Sequence, residues 1–98
     1  NIHMNKKIET LLARAHDVIQ MIELGKLNPC TDHKDMVDIH NFTLELGEAF
    51  KESYTDWVYG DEYNTDRLLT AYRDIRRALP IGENGKRWQS WKAYEACN

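Results

Sequence analysis

The chain has 98 residues, 42% of them hydrophobic and 30% charged, with a formal net charge of -3. That length fits one small domain with a modest core, and ten aromatic residues (three Trp, five Tyr, two Phe) argue against disorder. No stretch approaches the roughly 18–20 consecutive apolar residues of a membrane span, and two cysteines, Cys30 and Cys97, do not make a disulfide framework.

Asn1-Ile2-His3 ahead of Met4 reads as vector-derived, which leaves residues 4–98 as a single helical domain. Met4-Asn5-Lys6-Lys7 leads into an amphipathic segment, not a continuous apolar one, so a cytoplasmic protein with reduced cysteines is expected.

Residues 5–24 have the spacing of a helix. Ile8, Leu11, Leu12, Ala15, Val18, Ile19 and Ile22 recur at three- and four-residue steps. Gly25 is placed to end it, and Asn28-Pro29 specifies a loop, because proline disfavours helical geometry in the residue before it.

A second helix is expected from Thr31 or Asp32, either of which can cap it. Its inward face is read as Met36, Ile39, Thr43, Leu46, Phe50, Tyr54 and Trp57, running to about Trp57 or Tyr59. Gly47 falls on that face. Glycine there costs up to ~1 kcal/mol of helix propensity, so a close helix–helix approach is expected at that point.

A third helix is expected after Asn64 or Thr65 as N-cap, with Leu68, Ala71, Tyr72, Ile75 and Leu79 on one face and Pro80 ending it. Lys86–Ala96 reads as a short fourth helix holding Trp88, Trp91 and Tyr94. No segment alternates like a half-buried strand. The expected fold is all-α: a small bundle of three main antiparallel helices plus a short C-terminal one.

The charges are sorted by segment. Residues 31–66 carry ten acids against two bases, Lys34 and Lys51, while residues 67–98 carry seven bases against three acids. On the second helix Asp38, Glu45 and Glu52 are seven residues apart and so line up, with Glu48 and Asp56 beside them. On a helical wheel this ridge falls opposite the Met36/Phe50/Tyr54 face. Acids at such spacing repel by a few tenths of a kcal/mol per pair, and only Lys51 interrupts them on this helix.

Neighbouring carboxylates would stand roughly 5–6 Å apart, similar to successive phosphates on a nucleic-acid strand. The ridge therefore suits a basic groove on a partner protein. The plainer alternative is a solvated face, or one paired with the arginines of helix three. Tyr54, Trp57, Val58, Tyr59 and Tyr63 cannot all turn into one core, and Tyr59 and Tyr63 are the expected exposed members, which extend the candidate surface and also suit a homodimer contact.

Arg73, Arg77 and Arg87 are interleaved with Trp88 and Trp91, a mixture that can bind phosphates and stack on bases. Direct nucleic-acid binding through them is the second reading. It ranks behind the first because the acidic middle of the chain repels nucleic acid. The tryptophans also suit the core of a small bundle.

Cys30, Asp32, His33 and His40 include zinc-ligand types but lack a second ligand pair at recognisable spacing, so no metal is expected. Glu45-x2-Glu48 with Glu52, followed by Glu62 and Asp66, resembles the acidic pattern of the all-α nucleoside triphosphate pyrophosphohydrolases. The resemblance implies helix-borne carboxylates holding magnesium against a substrate's phosphates. Glu62 and Asp66 depart from that family's second pair, Glu-x2-Asp, by one residue.

In size and charge the chain also resembles phage-encoded inhibitors of host nucleic-acid enzymes. The leading expectation is a non-enzymatic inhibitor or adaptor without cofactor, catalytic residues or membrane contact. It would bind a basic partner protein through Asp38, Glu45, Glu48, Glu52, Asp56, Tyr59 and Tyr63.

Overall fold

The computed structural model describes residues 6–55 and 62–80. Among these residues there are three α-helices and no strand: α1 (Lys6–Glu23), α2 (His33–Thr55) and α3 (Glu62–Arg76). The expected helix over Lys86–Ala96, and with it Arg87, Trp88 and Trp91, lies outside the described residues, as do Asp56, Trp57, Tyr59 and Cys97.

The ends of α1 and α2 follow from local chemistry. Gly25 takes φ +73°, a left-handed conformation that favours glycine. The Lys26 amide then donates to the Met21 carbonyl at 2.8 Å and the Gly25 amide to the Ile22 carbonyl at 3.0 Å, the paired bonds of a Schellman ending. Asp32 caps α2 as expected, its Oδ1 accepting the Asp35 amide at 3.0 Å. The Asp35 carboxylate in turn accepts the Asn28 amide at 2.9 Å, which fastens the α1–α2 loop to the helix start.

The core joins Ile8, Leu11 and Ala15 of α1 to Met36, Ile39, Phe42, Leu46 and Ala49 of α2 and to Leu68, Ala71 and Ile75 of α3, with Leu79 beyond the helix end. α3 packs against both α2 and α1, whereas α1 and α2 approach each other far less closely. The faces read from periodicity in α1 and α3 are the faces that pack.

The helices depart from expectation in three ways, the first of them on α2. Its inward stripe includes Phe42, Ala49 and Ser53, while Tyr54 is 59% exposed. The buried residues Ile39, Phe42, Leu46, Ala49 and Ser53 step by three and four and form the packed stripe, which leaves Tyr54 at its margin, stacked on Phe50; on that stripe Ser53 Oγ and Thr65 Oγ1 stand 2.6 Å apart as a buried hydroxyl pair. Secondly, α3 starts at Glu62, so Asn64 and Thr65 are not its caps; both are buried in its first turn. Thirdly, Gly47 does not mark a close helix–helix approach. Among the described residues a Cβ there would meet the Tyr72 ring, at 3.5 Å, an ordinary contact.

Candidate functional site

α2 presents its acids along the flank that borders α1, beside the buried Phe42 and Ala49 rather than opposite the core. Asp38, Glu45, Glu48 and Glu52 are all exposed. Among the described residues their pairs are with α1 or within α2, not with an arginine of α3. Arg14 spans to Glu45 with both terminal nitrogens at 3.4 Å from its carboxylate oxygens. Lys7 Nζ stands 3.4 Å from Glu52. Within α2, Lys34 pairs with Asp38 at 2.8 Å and Lys51 with Glu48 at 3.8 Å. The hydrogen bond from Lys34 to Asp38, reinforced by that carboxylate's charge, raises the lysine pKa.

These pairs are solvent-facing, with the side chains of Glu45 and Glu52 52% and 67% exposed. Exposed pairs contribute roughly 0–1 kcal/mol each. The acids are therefore held in place by their bases without being withdrawn from water, and remain open to a competing cation.

Because α1 and α2 stand apart, a groove of about 650 Å³ opens between them. Leu11, Leu44 and Ala49 supply its apolar surface, Lys7 and Arg14 one wall, Glu45 and Glu48 the other. Leu44 is 55% exposed. Lys7 and Arg14 are the residues that reasoning from sequence missed. The available signal is their spacing of seven residues, which matches the spacing of Glu45 and Glu52.

Tyr63 is 69% exposed, as expected, and lies in a second groove, between α1 and α3, that also includes Asp66 and Arg67. The Arg67 guanidinium sits 5.0 Å from the Tyr63 ring centroid and 3.5 Å from the Glu9 carboxylate. Tyr63 thus lines the α1–α3 groove, and the α1–α2 groove is lined by other residues. Arg73 and Arg77 are exposed on or just past the end of α3, with Arg77 paired to Asp74 at 3.0 Å.

The acids of the pyrophosphohydrolase-like pattern are divided: Glu45 and Glu48 line the α1–α2 groove and Asp66 the α1–α3 groove. Glu62 and Asp66 both lie on α3, not ahead of it. Among the described residues no group of three or more His, Cys, Asp or Glu is placed to hold a metal ion. Asp32 is engaged as a cap, and the Cys30 thiol donates to the Ala78 carbonyl at 3.4 Å. Among the described residues no helix is long and apolar enough to cross a membrane.

No protein-family model matches the chain, and neither a curated protein nor a solved structure does.

Proposed function

We propose that this chain is a small acidic protein-binding module, an inhibitor or adaptor that covers a basic surface of a partner protein with the acidic face of α2. The partner's own ligand on that surface would be an anion such as nucleic acid. The observation that carries this reading is the placement of Asp38, Glu45, Glu48 and Glu52 on one continuous helix of 23 residues, all exposed, with solvent-facing bridges to bases among the described residues. A partner's lysines and arginines would displace Lys7 and Arg14 from Glu52 and Glu45. Association would be fast and would weaken with salt.

In this reading the three helices run antiparallel, with Lys7 opposite Glu52 and Arg14 opposite Glu45. A short fourth helix carries Trp88 and Trp91, and Asp56 and Tyr59 prolong the acidic face. The protein acts in the cytoplasm by binding, without a cofactor or a catalytic step.

The test is affinity capture at low and high salt. The native chain is compared with a variant carrying Asp38→Lys, Glu45→Lys, Glu48→Lys and Glu52→Lys, after circular dichroism shows equal helicity. A basic protein retained by the native chain alone, and released by salt, supports the reading. Equal retention by both chains contradicts it. Retention of bare nucleic acid, reduced by Arg73→Glu and Arg87→Glu, would favour the basic C-terminal segment instead.

A further inference from the structure

We propose that the α1–α2 groove is the contact surface for a second copy of this chain. The inference concerns the same acidic face but rests on its charge layout, independently of any foreign partner. Lys7 and Arg14 line the α1 wall, Glu45 and Glu52 mark the α2 side, and Leu44 stands 55% exposed at its edge. A two-fold axis parallel to the helices lays α1 of each copy over α2 of the other, so a cationic wall meets an anionic wall twice. An axis across the helices would lay α1 on α1, like charge on like charge. The layout therefore selects one of the two face-to-face arrangements.

The register already fits. Within one chain Lys7 pairs with Glu52 and Arg14 with Glu45, so both helices carry their charges seven residues apart, about 10 Å along the axis. The parallel axis leaves height along the helices unchanged. Lys7 of one copy then stands level with Glu52 of the other, and Arg14 with Glu45. Each bridge within a chain is exchanged for one between chains without sliding either helix. The exchange demands little desolvation beforehand, because the four side chains are 50% to 68% exposed.

Leu44 is the apolar residue that the contact removes from water. The 18 residues of α1 span about 27 Å, and two adjacent helices are about 20 Å wide. A face of that size buries roughly 1,000 Å² in total, the low end for specific association. The dimer is accordingly weak, and closed at two copies.

Sedimentation velocity of the purified full chain tests this. A species of twice the chain mass is expected to grow in on the order of tens of micromolar, and to vanish near 1 M salt, where the Debye length is about 3 Å. Two double variants sharpen the test: Lys7→Glu with Arg14→Glu, acidic on both walls, and Glu45→Lys with Glu52→Lys, basic on both. Each is expected to be monomeric alone, and an equimolar mixture to dimerise. Should either double variant unfold, Arg14→Glu and Glu45→Lys singly carry the same test.

A chain that stays monomeric at every concentration, as does the mixture, overturns the proposal and leaves the groove to residues 81–98 or to a foreign helix. A dimer that survives in either variant alone also overturns it, and moves the contact to exposed aromatics such as Tyr54 and Tyr63. No other protein is present in this experiment, so its failure is distinct from failure of the acidic face to bind a basic partner.

Discussion

The Arg14 guanidinium lies 4.4 Å from the centroid of the Phe42 ring. Phe42 is only 4% exposed, so the arginine closes the edge of the core while reaching on to Glu45. Cation–π attraction and cover by the aliphatic stem act together there. Arg14→Ala is expected to lower stability by about 1 kcal/mol in urea denaturation, and Arg14→Lys by less. An unchanged midpoint for Arg14→Ala would show that the contact contributes nothing.

The buried Ser53–Thr65 hydroxyl pair links α2 to α3 beside their apolar contact. Ser53→Ala leaves the Thr65 hydroxyl without this partner, at an expected cost of about 1–2 kcal/mol. Adding Thr65→Val removes the stranded group, so the double variant should be less destabilised than the two single losses combined. A double-mutant cycle by chemical denaturation measures this, and strict additivity would mean the two hydroxyls are not coupled.

Gly47 sits inside α2 with room for a methyl group against Tyr72. Gly47→Ala should therefore raise stability by about 0.5–1 kcal/mol through helix propensity and unfolded-state entropy. A lowered melting temperature would show that α2 and α3 approach more tightly there than a 3.5 Å contact implies.

His40 is half-buried, and burial, aided by the Arg76 charge, lowers its pKa from the ordinary histidine value. The unfolded chain therefore binds the His40 proton more readily than the folded chain does. Its contribution to stability is present in full above the unfolded pKa of about 6.5 and is lost as pH falls through the lower folded value. Between about pH 7.5 and about pH 5.5, across the ordinary histidine range, the native chain should lose more thermal stability than His40→Gln. Parallel loss in both proteins would remove His40 from the account.

Much of the fold was legible because its determinants are local. Gly25 and Asp32 announce helix ends through their own backbone and side-chain chemistry, and the α1 and α3 stripes follow from spacing alone. Tyr54 was misplaced for a non-local reason. Two overlapping stripes run along α2, one through Phe50 and Tyr54 and one through Phe42, Ala49 and Ser53; which of them packs is decided by the neighbouring helices, where Ser53 meets Thr65 twelve residues further on. Of the candidate surface, the acids of α2 were legible, since seven-residue spacing aligns them. Their bases were not. The seven-residue spacing of Lys7 and Arg14 matches that of Glu45 and Glu52, but pairing Glu45 with Arg14 depends on how α1 lies against α2, which that spacing does not encode.

The central claim is that exposed carboxylates on α2 carry recognition. The most direct measurement is the association rate constant with the captured basic partner, followed against ionic strength. The native chain is compared with a variant carrying Asp38→Asn, Glu45→Gln, Glu48→Gln and Glu52→Gln, which keeps shape and removes charge. A native rate that is fast at low salt and falls steeply, beside a slow and nearly salt-independent rate for the neutral variant, is the predicted result. Equal rates with equal salt dependence would contradict the claim.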